Sequence, residues 1–250
     1  MTNITFIVDT GCQFFGVAGL IDTFMIANQW HAINTGQFSD AIFTTQILSV
    51  DGKAAKVNGG FQVVPQGGLQ DCQRTDVVVV PPFLPNVNFL PSTGKQLLDW
   101  LVAKYEQGTM LASTCTGSFV LAETGLLDGK MATTHWLFAQ LFKQRFPKVH
   151  LEPKRILTHD EGLVCSGYGS AFYYLGMYLI ESFGSSLLAA QCSKSLVVDP
   201  AEAGQFSFNV HKGQNDEEML RVQDMIAATV PGERDDQEAP GSGARKWQMF

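Results

Sequence analysis

The feature that most constrains the fold is a run of four valines that ends at a pair of prolines. Residues 76–80 are Asp-Val-Val-Val-Val, and Pro81 and Pro82 follow directly. β-Branched residues favour extended backbone, and an apolar run without polar alternation is typical of a strand that is buried on both faces. Proline has no N–H to give to a sheet, so the pair ends the strand. The run therefore predicts a central strand of a parallel sheet covered by a layer on each face.

The rest of the chain alternates between strand and helix patterns. Strands are predicted at residues 4–8, 44–50, 109–114 and 163–166, with shorter extended pieces at 61–64, 130–134 and 155–158. Helical spacing of apolar residues covers residues 17–33, 95–105, 169–183 and 186–196, and a further helix is expected from Cys115 to Glu123. This alternation predicts an α/β domain with a mostly parallel sheet sandwiched by helices.

Composition excludes several classes of protein. Hydrophobic residues make up 45% of the 250 and charged residues 16%, enough apolar material for a large core. No apolar run approaches the ~20 residues of a membrane span, and the N-terminus lacks a signal-peptide pattern, so a cytoplasmic protein is expected. The five cysteines form no CxxC pair, and no HExxH motif occurs, so neither a metal nor a cofactor is expected. The net charge of -7 argues against DNA binding by this chain itself.

Chemistry is predicted at Cys115, where a strand leads directly into a helix. Sites in parallel sheets gather at the carboxyl ends of the strands. The small residues around Cys115, including Thr116 and Gly117, permit a tight turn that resembles the nucleophile elbow of serine hydrolases. A helix N-terminus favours a thiolate, so a lowered thiol pKa is expected there. The alternative is a buried, inert thiol, which is common for cysteine.

A longer string carries a family resemblance. Residues 113–136, with Cys-Thr-Gly, Leu-Leu-Asp-Gly and Thr-Thr-His-Trp in order, resemble the ThiJ/PfpI superfamily. The resemblance is closest to the N-terminal domains of AraC-type regulators and to isonitrile hydratases, and it extends more weakly from residue 4 to about 226. It implies a flavodoxin-like fold whose elbow cysteine faces a shallow pocket, with His135 approaching it. A histidine that orients Trp136 or the backbone is the alternative for His135.

Departures from the family pattern weaken the enzymatic interpretation. The aspartate of the isonitrile hydratases corresponds to Gly16, which cannot move a proton. The glycines that usually follow this strand in the family are replaced by Pro82 and Phe83. An oxyanion hole built from the Phe83 and Thr116 amides is still an alternative. No Asp or Glu side chain is expected within hydrogen-bond reach of the Cys115 sulfur. The candidate ligand-binding residues are Cys115, Thr116, Gly117, Phe83, His135, Gly16 and Tyr168, and any catalysis would rest on Cys115 with His135.

Two functions follow from these patterns. The first is the ligand-sensing domain of an AraC-family transcription regulator, which binds a small metabolite near Cys115 and is degenerate as an enzyme. The second is a cysteine-dependent hydratase or amidase of the isonitrile hydratase or PfpI type. The expected partners are a small-molecule ligand, a second copy of the chain, and DNA only through a separate helix-turn-helix domain.

Domain organisation is predicted from a change of composition near Pro231. Residues 1–230 are expected to form the sensor domain. Residues 231–250 are rich in polar residues, Gly and Pro, without periodicity, and are expected to be a disordered tail. They contain no helix-turn-helix pattern. The missing helix-turn-helix pattern has three explanations: a shortened chain, a natural single-domain relative or an altered reading frame.

Overall fold

The computed structural model describes residues 1–83 and 94–196, together with Met225. The predicted domain boundary at residue 230 and the predicted tail lie outside these residues. The described chain is built around a seven-stranded sheet with strand order β10-β11-β7-β6-β1-β2-β5. All neighbouring strands pair in parallel except β10, which forms an antiparallel hairpin with β11. The predicted fold class, an α/β flavodoxin-like sandwich, is confirmed.

The elements have the following bounds. The strands of the seven-stranded sheet are β1 (Thr2–Ile7), β2 (Phe43–Ser49), β5 (Gly67–Gly68), β6 (Val77–Val80), β7 (Met110–Thr114), β10 (Leu157–Asp160) and β11 (Leu163–Ser166). Two small two-stranded sheets pair β3 (Ala55–Lys56) with β4 (Gln62–Val63) and β8 (Met131–Ala132) with β9 (His150–Leu151). The helices are α1 (Phe15–Thr35), α2 (Gly94–Glu106), α3 (Gly117–Glu123), α4 (Ala139–Arg145), α5 (Phe172–Phe183) and α6 (Ser186–Leu196).

The valine run lies at the centre of the sheet, as predicted. β6 pairs with β1 on one side and with β7 on the other, and all four of its valines are buried. Because side chains alternate along a strand, Val78 and Val80 join the apolar cluster that contains α2, α3 and α4 side chains, whereas Val77 and Val79 join the cluster beneath α1, α5 and α6. The run is therefore uniformly apolar because it packs into two cores.

Short elements differ from the sequence predictions. The extended piece expected at residues 130–134 is only the two-residue β8, and the helix expected at 169–183 begins as a 3-10 helix at Gly169–Ala171 before α5. The strands β3, β5 and β9 and the helix α4 were not predicted. These pieces of two to seven residues are too short to show a periodicity, and tertiary contacts rather than local pattern hold them.

No helix among residues 1–83 and 94–196 is long and apolar enough to cross a membrane.

Candidate functional site at the Cys115 elbow

The backbone of Cys115 is strained. Its φ is 54°, in the left-handed region that residues with a side chain rarely adopt. Cys115 lies between the end of β7 and the start of α3, and its N–H donates to the Ser166 carbonyl of the neighbouring strand at 2.8 Å. The predicted strand-to-helix turn in a sparsely populated conformation is therefore confirmed.

Two hydroxyls hold the carbonyl side of the same residue. Ser118 Oγ lies 3.0 Å from the Cys115 carbonyl oxygen and 2.8 Å from Thr134 Oγ1, and Thr134 Oγ1 lies 3.4 Å from the same carbonyl. Both hydroxyls are buried. A strained residue persists only where its surroundings over-determine it, and here bonds from β11, α3 and the segment after β8 fix both amide groups of Cys115.

Gly117 lets the elbow approach the end of the valine strand. A Cβ atom at this position would lie 2.3 Å from the Val80 carbonyl oxygen and 2.9 Å from that of Pro81. These are backbone atoms of the central strand and of the turn that follows it, so no side-chain rotation relieves the overlap. The requirement for glycine at position 117 is therefore steric.

The thiol itself is buried, and its electrostatics differ from the prediction. The Cys115 side chain is 2% exposed. Burial raises its pKa from 9.0 to about 11, and the N–H and hydroxyl of Thr116 oppose the rise only in part. The expectation that a helix N-terminus lowers this pKa is wrong because desolvation outweighs the hydrogen bonds from Thr116. At neutral pH the thiol is protonated.

An unused polar atom lies beside the thiol. Thr116 Oγ1 is buried, and among the described residues it acts on the Cys115 thiol but bonds no other group. A buried hydroxyl without a partner costs free energy, and such a group at a site is available to a ligand. Thr116 therefore offers a donor and an acceptor beside the Cys115 sulfur.

No carboxylate among residues 1–83 and 94–196 acts on the Cys115 thiol, whose pKa is set by burial and by Thr116. Gly16 lies buried in the first turn of α1, and a Cβ added to it would point at the ring of Phe172, 3.6 Å away. Phe172 is itself fully buried and packs edge-on against Phe15. An aromatic ring thus fills the space next to Gly16, the position at which the family resemblance predicts the aspartate of isonitrile hydratases. Asp22 is exposed on α1.

His135 is half-buried, and its hydrogen bond defines which ring nitrogen carries the proton. Its Nδ1 accepts the Leu137 N–H at 3.2 Å at the start of the 3-10 helix Trp136–Phe138, so the neutral ring carries its proton on Nε2. Burial lowers its pKa, and its ring stacks on Trp136 with centroids 5.5 Å apart. His135 is therefore set up as a neutral hydrogen-bond donor through Nε2, and its contacts match the alternative in which it orients the backbone and Trp136.

The other predicted site residues have these positions. Phe83 is buried in the apolar cluster that also contains Cys12 and Phe119. Tyr168 is half-buried and caps the 3-10 helix Gly169–Ala171. Cys115, Thr116 and Gly117 form one continuous turn. Their roles in ligand binding stay predictions.

Ser118, Thr134 and Ser166 were missed by sequence reasoning, although they flank motifs that had been singled out. Thr134 precedes His135 in the Thr-Thr-His-Trp string, and Ser166 ends a predicted strand. Their link to Cys115 required the fold, because the bonds span 16 to 51 residues of sequence or join separate elements. Within the described ranges, no group of three or more His, Cys, Asp or Glu side chains could hold a metal ion.

Comparison with known proteins decides the family. The profile of the DJ-1/PfpI family matches residues 26–181, more than half of the chain. The chain belongs to the DJ-1/PfpI family. Its fold is similar to that of an AraC family transcriptional regulator from Pseudomonas putida, with a TM-score of 0.67, 19% identity, and coverage of 78% of this chain and 100% of that one. It is also similar to DJ-1beta from Drosophila melanogaster, with a TM-score of 0.65, 19% identity, and coverage of 79% and 98%.

Curated relatives of this DJ-1/PfpI domain are of two kinds. The HTH-type transcriptional regulator CdhR of Pseudomonas aeruginosa is 29% identical over 194 residues, which cover 77% of this chain and 54% of the relative. The isonitrile hydratase of Pseudomonas putida is 36% identical over 88 residues, which cover 33% of this chain and 35% of the relative. The chain spans about half the length of the regulators that it matches over most of its own length.

Proposed function

We propose that this DJ-1/PfpI domain is the ligand-sensing part of an AraC-type transcription regulator, with its ligand bound at the Cys115 elbow. The observation that carries the proposal is the state of the thiol. Cys115 is 2% exposed, has a pKa near 11, and has no carboxylate acting on it among residues 1–83 and 94–196. A cysteine nucleophile needs a thiolate or a base within reach, and this thiol has the properties of a packing group and a weak donor.

The polar groups at the elbow suit a neutral, hydrogen-bonding ligand. Among the described residues Thr116 Oγ1 bonds no group other than the Cys115 thiol, and His135, next to the Thr134 that bonds the elbow, carries its proton on Nε2 because Nδ1 accepts the Leu137 N–H. Both groups are neutral at pH 7, since burial lowers the His135 pKa. Such a constellation can recognise a carbonyl or amide group without activating it.

The relatives support the same assignment. The matches that cover more than three quarters of this chain are HTH-type transcriptional regulators, whereas the isonitrile hydratase match covers a third of it. The enzymatic alternative, a cysteine-dependent hydratase or amidase, is favoured by one observation. The backbone of Cys115 holds the strained φ of 54°, a device by which elbows expose a nucleophile.

The two functions are separated by a ligand screen on the full chain. Thermal unfolding is measured against a library of small metabolites with the native chain and with Cys115→Ala, and each stabilising compound is then assayed for conversion by mass spectrometry. A sensor binds its ligand without turnover, and the ligand stabilises the variant as well, because ligand binding raises the apparent stability. Conversion of a stabilising compound that disappears in Cys115→Ala would instead establish the enzyme.

Assembly and DNA binding belong to the same proposal. We infer a cytoplasmic homodimer that reaches DNA only through a separate helix-turn-helix domain. A regulator that reads a two-fold operator needs a two-fold partner, and 17 basic residues against 24 acidic ones give a field that repels a duplex. Light scattering at tens of micromolar tests the first point, and a clean monomer would contradict it. A gel-shift assay tests the second, and sequence-selective binding by this chain alone would contradict it.

A further inference from the structure

A cavity opens at the end of the sheet opposite the elbow. It has a volume of about 750 Å³, within the range of small-molecule sites, and lies where β6 and β7 begin. β7 runs from this edge to Thr114, so roughly 13 Å of strand separates the cavity from Cys115. The cavity is therefore distinct from the elbow. Its lining includes Arg74, Lys104, Tyr105, Gln107, Met110 and Phe183.

The charges of the cavity leave one cation without an acidic partner. Arg74 lies 3.4 Å from Asp76, whose other carboxylate oxygen accepts the Asn3 N–H at 2.8 Å. Lys104 extends from the last turn of α2, donates to the Cys72 carbonyl oxygen at 3.5 Å and lies 5.6 Å from the centroid of the Trp100 ring. Among residues 1–83 and 94–196 no carboxylate forms an ion pair with Lys104. The Arg74 side chain is 78% exposed, and both Arg74 and Lys104 line the cavity.

The carboxylate of Glu161, on the side of the cavity formed by the β10–β11 turn, is paired with a lysine. Glu161 forms an ion pair with Lys130 at 3.1 Å, and its carbonyl oxygen accepts the Tyr105 hydroxyl at 2.7 Å. Two strand spacings, roughly 9–10 Å, separate this wall from Asp76, because β6, β7 and β11 are successive neighbours. An anion beside Lys104 is therefore not opposed by a free carboxylate at the Glu161 wall.

The Glu161 wall is rigid. Glu161 has a φ of 46° and Gly162 a φ of 80°, and together they form the two-residue turn between β10 and β11. Glutamate is rarely found in this conformation. The turn is fixed by the Tyr105 hydroxyl, by Lys130, and by the Gly162 N–H, which His159 Nε2 accepts at 3.2 Å. A two-residue hairpin turn of this type requires positive φ at both central residues, so this geometry and its hydrogen bonds fix the backbone of the cavity at Glu161.

An apolar surface completes the cavity. Phe183, at the end of α5, is 37% exposed, Met110 is half-buried, and both line the cavity. A lining that combines cationic with apolar side chains matches an amphipathic acid better than an inorganic ion. We propose that this cavity binds a small organic anion, with its carboxylate or phosphate group at Arg74 and Lys104 and its apolar part against Met110 and Phe183.

Phenylacetate, inorganic phosphate and the phenethylammonium cation are suitable probes, measured by isothermal titration calorimetry with the full chain at pH 7. Phenylacetate should bind, phosphate should bind more weakly, and phenethylammonium should not bind. Lys104→Gln should weaken phenylacetate about tenfold, because a charge-assisted contact is lost. Lys95→Gln, which removes a charge from the other end of α2, is the matched control and should leave the affinity within about twofold.

Further variants separate the two halves of the cavity. Phe183→Ala should weaken phenylacetate and leave phosphate unchanged, and Cys115→Ala should leave both unchanged because the elbow lies at the opposite end of the sheet. Binding of phenethylammonium as tight as that of phenylacetate would overturn the proposal. So would phenylacetate binding that survives Lys104→Gln and Arg74→Gln together, or an absence of binding to the native chain at millimolar concentration.

Discussion

Replacing Gly117 by alanine tests whether the elbow depends on close backbone packing. The added Cβ would lie 2.3 Å from the Val80 carbonyl oxygen, and ordinary contact begins near 3.4 Å, so an atom must move by roughly 1 Å. Val80 belongs to the central strand and pairs with Ser113 of β7, so the sheet resists that movement. Overpacking costs about 1–3 kcal/mol, and the entropy of the unfolded chain returns about 0.4–1 kcal/mol.

Because both obstructing atoms are backbone atoms, the cost lies near the top of that range, and Gly117→Ala should lower the free energy of unfolding by about 2 kcal/mol. For a chain of this size the midpoint of thermal unfolding should fall by about 4–8 °C. The measurement is urea unfolding followed by fluorescence, with a thermal scan as a second readout. Gly169→Ala is the matched control, since a Cβ there meets nothing within 4 Å. Equal stability of the two variants would refute the steric argument.

Three further predictions concern the elbow. Cys115 should react with iodoacetamide at pH 7.5 about a hundredfold more slowly than a free thiol on account of its pKa near 11, as followed by peptide mass spectrometry; a rate equal to that of free cysteine would contradict the assigned burial. The Cys115 thiol has a raised pKa in the folded state, so its contribution to stability is complete below pH 9 and is lost as the pH rises to about 11. Between these pH values the free energy of unfolding should therefore fall less in Cys115→Ala than in the native chain. Ser118→Ala should cost about 1–2 kcal/mol, and a double-mutant cycle with Thr134→Val should show coupling of at least about 0.5 kcal/mol; additivity would mean that the two hydroxyls act independently.

The long elements were predictable because their patterns are local. Four consecutive valines before two prolines indicated the centre of the sheet, and helical spacing located α1, α2, α5 and α6 to within a few residues at most of their ends. The strained turn at Cys115 was predictable as well, because small residues permit a tight turn between the strand and the helix and the string resembles that of the ThiJ/PfpI superfamily.

The electrostatics of the site were not predictable from the motif. Sequence spacing placed Cys115 at a helix N-terminus and suggested a lowered pKa, but the depth of its burial depends on β11, α3 and the segment after β8 closing around it. In the same way, the sequence showed glycine at position 16, where the resemblance predicts an aspartate. It did not show that the Phe172 ring lies beside Gly16.

The cavity at the opposite edge shows the same division. Arg74, Lys104 and Phe183 lie far apart in the sequence, and none belongs to a recognisable motif. By itself the sequence determined the fold class, the central strand and the position of the elbow, because periodicity and steric restriction act between neighbouring residues. Only the tertiary structure decided the protonation state of Cys115, the hydroxyl pair that holds its backbone and the pairing of charges at the far cavity, because desolvation and Coulomb interactions depend on distances between residues that the chain brings together only when it folds.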